Sequence, residues 1–189
     1  MTNRRDFLHG AALAAMPLGT GLLPDDATIA PMADFHAVLV DARHAEALRF
    51  GARLAARGAS VRQVQDGDIT SLWLDDIAPA WRKAPVPLAG LTRPPVLFCL
   101  EQLAWSHGLR VVFHAEHVVE PGSATLHTTH RPSYAAGMRG PLWPTVVADR
   151  IAAHGARLTT ERPGPSLAAL QPELPRGAEL LTSWIIASA

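Results

Sequence analysis

Cysteine is almost missing from these 189 residues: Cys99 stands alone. One thiol excludes an internal disulfide, so the folded state has to rest on an apolar core. Its neighbours Val96, Leu97, Phe98 and Leu100 predict that Cys99 is a buried small hydrophobe on a helix. Lysine is as scarce, with Lys83 the only one, and neither sign of charge dominates at 17 basic and 17 acidic side chains. Nothing in that balance suggests nucleic acid or an anionic membrane as a partner. Glycine is absent from the first strand-to-helix turn, Asp41-Ala42-Arg43-His44, which excludes a dinucleotide or P-loop phosphate site. Ser123, Ser133 and Ser166 lack any G-x-S-x-G context, so no hydrolase elbow is indicated. There is no internal repeat, no low-complexity block and no cofactor fingerprint, which leaves any cofactor unknown.

What is present begins at the amino terminus. Residues 3–9 read Asn-Arg-Arg-Asp-Phe-Leu-His, followed by an Ala/Gly/Leu-rich stretch from Ala11 to Leu23. Two adjacent arginines, Phe-Leu and a short, weakly apolar run resemble the signal peptides of the twin-arginine (Tat) pathway over residues 3–30. Arg4, Arg5, Phe7 and Leu8 carry the resemblance, while Asn3 and His9 depart from the preferred Ser/Thr and Lys. The run is too short and Gly-rich for a comfortable transmembrane helix. A small-x-small cleavage site is hard to place, with cutting after Ala27 or Ala33 the options. The resemblance implies the Tat translocon as an export partner, and a periplasmic product or one tethered on that side of the membrane if the signal stays. It also implies a protein that folds before export, and no stable transmembrane span after cleavage. Removing two arginines and three aspartates with the leader leaves 15 basic against 14 acidic side chains.

Residues 1–33 are therefore read as signal and linker, and 34–189 as a single α/β domain. Apolar runs predict strands at His36–Asp41, Ser60–Gln65, Leu109–Val119, Ala124–His130 and Leu180–Ala187. Helical periodicity covers residues 43–57, with Leu48, Ala52 and Ala55 as its apolar side and Gly58 as its stop. Asp68 reads as the N-cap of a helix carrying Ile69, Leu72, Trp73 and Ile77, broken near Pro79. A loop at Pro85–Leu91 leads into the clearest helix, where Val96, Leu100, Leu103 and His107 recur before Gly108. Pro144 opens another helix through His154. Arg49, Arg53 and Arg57 read as a solvated helix stripe, and the five tryptophans as mostly packed. The expected fold is a three-layer α/β sandwich with a mixed, mostly parallel sheet and an antiparallel hairpin.

Chemistry has two candidate places. Ligands in open α/β sheets lie beyond the carboxyl ends of strands where strand order reverses. That puts Asp41, Arg43 and His44 on one lip, with Asp66 and Asp68 nearby, and makes Asp41 and His44 catalytic candidates. Asp41 and Asp68 serve equally well as helix caps. The string Asp66-Gly67-Asp68-Ile69-Thr70 resembles the D-x-D-x-T of haloacid-dehalogenase-type phosphatases, but Lys83 is badly placed for that chemistry. In the second place, His114, His117, His127 and His130 fall within 17 residues with Glu116 and Glu120. A turn at 120–123 pairs Glu116 with His127 and puts His114, Glu116 and His127 on one face, a candidate zinc or non-haem iron set. A solvated hairpin face is the plainer alternative.

Two functions fit these features. One is an accessory or binding protein of the periplasm, associated with an exported complex through a protein partner. It predicts an exposed apolar patch on the mature domain. The other is a small periplasmic enzyme or metal-binding protein using the His/Glu cluster.

Overall fold

The computed structural model describes residues 35–120, 126–129, 140–155 and 176–188. Arg4, Arg5, Phe7 and Leu8, which carry the Tat resemblance, lie outside them, as do residues 121–125 and His130.

The elements run β1 (Ala37–Asp41), α1 (Ala45–Ala55), β2 (Val61–Val64) and α2 (Thr70–Leu72). A π-helical turn (Trp73–Ile77) then leads into α3 (Ala78–Lys83), β3 (Leu88–Thr92) and α4 (Pro94–Trp105). The chain continues with β4 (Leu109–Val119), β5 (Leu126–Thr129), α5 (Trp143–Gly155) and β6 (Glu179–Ser188). Six strands form one sheet in the order β2-β1-β3-β6-β4-β5. The fold is α/β with a mixed sheet and an antiparallel hairpin. Two pairings are parallel, β1 with β2 and β1 with β3. The other three are antiparallel, so the parallel share is smaller than expected. The cause is β6, which enters between β3 and β4 rather than at an edge.

Alternation along the strands divides the core between two faces. Val38, Val40, Ala89, Leu91, Leu181 and Ile185 pack with Phe50 and Leu54 of α1 and with Trp143, Val147 and Ile151 of α5. Ala37, Leu39, Leu88, Trp184 and Ile186 pack with Ile77, Trp81, Val96, Leu97 and Leu100 on the other face. Helices therefore cover both sides. In α1, Ala47, Phe50, Gly51 and Leu54 are the buried set, at the i, i+3, i+4, i+7 spacing of an amphipathic helix. Gly58, with φ +92°, ends it.

Four local readings change. The Pro85–Leu91 segment is not a loop: Leu88–Thr92 is a wholly buried central strand. Its five residues are apolar or small throughout, which removes the alternation that marks a half-buried strand. The helix after Asp68 is not broken at Pro79, because the π-helical turn precedes it, with the Ala78 N–H reaching back to the Trp73 carbonyl. A wide turn moves the carbonyl a proline ring would strike and needs no donor from that residue. Cys99 is exposed, not buried, since α4 turns Val96, Leu97, Leu100 and Ala104 inward. The arginine stripe is not wholly solvated, because Arg53 and Arg57 both grip Asp149 of α5, at 2.8 and 2.7 Å.

No helix among the described residues is long and apolar enough to cross a membrane.

Candidate functional site

The strand order β2-β1-β3 puts the reversal point at the carboxyl ends of β1 and β3, where Asp41 ends one strand and Arg93 follows the other. Asp41 is completely buried. Its Oδ2 accepts a 2.7 Å bond from Arg93 Nε, and its Oδ1 accepts the Arg43 backbone N–H at 3.1 Å. A buried carboxylate without partners costs several kcal/mol, so the guanidinium is what allows Asp41 to stand there. Sequence reasoning flagged Asp41 and missed Arg93. The only signal for Arg93 was its place just ahead of Pro94, at a helix start.

Three loops meet at this crevice. Arg43 comes from the β1–α1 loop and its Nη1 lies 3.5 Å from Asp66 Oδ1. Asp66 and Gly67 form the β2–α2 turn, with φ +50° and +81° and an Asp68 N–H to Gln65 carbonyl bond of 2.8 Å. Two consecutive left-handed residues closed by that bond make a type I′ turn, for which Asp-Gly is a favoured pair. Asp68 accepts the Thr70 N–H at 2.8 Å. Hydrogen bonds from the Thr70 side chain and backbone hold its carboxyl below the usual range. The Asp-Gly-Asp string is thus a turn followed by a local Asp68–Thr70 bond, and the N-cap of α2 is Ile69 rather than the expected Asp68. Gly67 lies over Arg93: a Cβ placed on it would sit 3.3 Å from Nη2. That nitrogen is buried and has no hydrogen-bond partner among the described residues.

The His44 backbone N–H reaches the Asp41 carbonyl at 3.3 Å, but its imidazole pairs elsewhere. It is buried, and its Nδ1 lies 3.1 Å from Glu179 Oε2 at the start of β6, so it joins α1 to the sheet. Beyond Asp41 a polar row crosses the sheet, since Thr92 is the register partner of Thr182, and Thr182 that of Glu116. All three are buried. Thr92 Oγ1 accepts the Trp184 indole N–H at 3.0 Å, whereas Thr182 Oγ1 has no partner among the described residues.

The histidine hairpin pairs differently from the expected register. His117 is opposite His127, and Glu116 is opposite Thr128. The pairing that would bring His127 to Glu116 is therefore not formed, a one-residue slip of the kind that reassigns every residue of a strand. His114 Nε2 and Glu116 Oε1 do lie together, at 3.8 Å. Among the described residues, no three His, Cys, Asp or Glu side chains converge in an arrangement suited to a metal ion. His117, read only as part of the histidine cluster, is buried, with its ring stacked on Trp143 at 4.6 Å and its Nε2 2.8 Å from Ser183 Oγ.

The outer side of α4 is the other feature of note. Phe98 is 62% exposed and Trp105 53% exposed. They stand seven residues apart, on one helical face. Gln102 and Cys99 are exposed beside them, and the Arg110 guanidinium lies 5.9 Å from the Trp105 ring centre.

Comparison with protein-family models, curated proteins and solved structures found no match.

Proposed function

We propose that this chain is an exported periplasmic accessory protein that binds a protein partner through the outer face of α4. The observation that carries the reading is the exposed Phe98–Trp105 pair. A helix with apolar residues inside and large aromatics outside has more apolar surface than its own domain covers. The face carries one acid, Glu101 of α4, and one base, Arg110 beside Trp105, so the matching surface is mainly apolar. The Tat-like leader supports the compartment, and a folded domain exported with something bound to it suits that route.

Phe98→Asp/Trp105→Asp tests the docking face without touching the core. Expressed with its leader and purified mildly, the native chain should hold one stoichiometric partner that the double variant loses. A native chain that runs as a clean monomer, or a partner retained by the double variant, would overturn the reading. A second copy of the chain as the sole partner would replace an accessory role with self-association.

A second reading, a small periplasmic enzyme or metal-binding protein, draws on the buried Glu116 beside His114. Metal analysis of the native chain and of His114→Ala decides it. Stoichiometric metal that persists in the variant removes His114 from the ligand set, and no metal in the native chain removes the metal-binding version of this reading.

A further inference from the structure

We infer that the apolar run Ala11–Leu23 of this chain packs on the outer face of α4, with Asp25 and Asp26 against Arg110, and covers that face until a partner takes its place. This cover rests on the α4 docking reading and identifies what occupies the face beforehand. Phe98 and Trp105 set the demand, because large aromatics exposed on an otherwise finished domain need an apolar cover.

The run can reach the face. Ala37, Leu88, Ile186 and Val111 are successive register partners across β1, β3, β6 and β4, so they form one row across the sheet. The start of β1 therefore lies at the same end of the sheet as the start of β4, three strand spacings or about 14 Å away. Helix α4 delivers the chain to that end, where its last residue, Trp105, precedes Leu109 at the start of β4. Residues 24–34 connect Leu23 to Phe35, just ahead of β1. A stretch of that length spans up to about 36 Å, enough to pass the end of the sheet and reach the outside of the helix layer. From Trp105 back to Phe98 is a further ~10 Å along the helix, which Ala11–Leu23 covers in any conformation.

Its chemistry fits as well. Residues 10–24 carry no charged side chain, as a mainly apolar face requires. The first charges beyond the run are Asp25 and Asp26, on the side nearer to Phe35. A chain entering at the Trp105 end brings these acids to Arg110, which is exposed with its guanidinium over the Trp105 ring. Opposite charge at that rim sets the direction of the run along α4. Weak contacts suffice, because a short linker holds its segment at an effective concentration of about a millimolar. A face with only millimolar affinity for the free peptide is then already half occupied. Cutting after Ala27 or Ala33 would remove the run and both acids together and leave the face bare.

The test uses the full chain with a nitroxide attached to Cys99, its one thiol, which is exposed beside the aromatic pair. The NMR amide signals of residues 11–23 should be broadened, and reducing the nitroxide should restore them. Phe98→Asp/Trp105→Asp, both at exposed positions, should abolish the broadening. Asp25→Asn/Asp26→Asn should lower the ratio of covered to open chains about two- to five-fold, the loss expected for an exposed ion pair. Full intensity throughout residues 11–23 of the native chain, or broadening that survives Phe98→Asp/Trp105→Asp, would overturn the inference. Broadening seen only between separate molecules would overturn it in favour of a second copy as the occupant. An unchanged ratio in Asp25→Asn/Asp26→Asn would overturn the Arg110 contact. A chain whose run shows no broadening, but whose partner is still lost with Phe98 and Trp105, overturns this cover and leaves the docking reading standing.

Discussion

Gly90 shows how tightly single residues are fixed in this sheet. A Cβ there would lie 2.8 Å from the Leu39 carbonyl and would overlap the Trp184 ring. Neither the backbone nor a buried indole can give way cheaply, so Gly90→Ala should cost about 3 kcal/mol, measured by chemical denaturation. Asp76 is a residue of the π-helical turn that ties the starts of β1 and β2 to the helical layer. Burial pushes its carboxyl up, but hydrogen bonds from His36 at 2.7 Å and Arg62 at 3.0 Å outweigh this and hold it below the usual range. A lowered folded-state value means its contribution is present above the unfolded carboxylate range and fades as pH falls through the folded value. Asp76→Asn should therefore be less stable than the native chain at neutral pH, with the gap closing below about pH 4. Thermal melts across that range check the sign. A gap that widens on acidification would contradict it.

At the scale of elements, α1 and α5 are joined by Asp149, with Arg53 binding both carboxylate oxygens, at 2.8 and 3.2 Å, and Arg57 adding a third contact. These groups are partly exposed, so Asp149→Ala should lose about 1 kcal/mol, and less in high salt. Denaturation at low and high salt reads the difference. Elements whose pattern repeats were legible in the sequence as elements, such as β4 at Leu109–Val119 and the helical span of α1, although α1 buries Ala47, Phe50, Gly51 and Leu54 rather than the expected Leu48, Ala52 and Ala55, which are exposed. Elements defined by what surrounds them were not. Leu88–Thr92 has no alternation because both its sides are covered, and five apolar or small residues between prolines resemble a linker. The hairpin register was also out of reach, since turn length sets it, and the His117–His127 pairing differs from the expected one by a single residue. The crevice was half legible. Asp41 announced itself as an acid ending an apolar strand, but its partner Arg93 is 52 positions away and follows a strand that periodicity does not reveal.

For the whole molecule, the proposed periplasmic compartment rests on the Tat resemblance of residues 3–30. Replacing Arg4 and Arg5 by lysine should shift the product from periplasm to cytoplasm in cell fractionation, and an unchanged distribution would remove the export proposal. The domain depends just as heavily on its most distant segment. β6 is the neighbour of both β3 and β4, and seven consecutive residues of it, Leu181 to Ala187, are buried. A chain ending at residue 178 should not fold, and should lack dispersed amide resonances and a cooperative melt.

That arrangement makes residues 179–188 the keystone of an arch. Until they arrive, Leu88–Thr92 and Leu109–Val119 are two half-sheets with bare, greasy flanks, each able to zip onto any other strand it meets. A stalled ribosome or a protease nick upstream would therefore yield sticky fragments rather than a smaller working domain. Cells making this protein would need chaperones to shield those flanks until the keystone drops in.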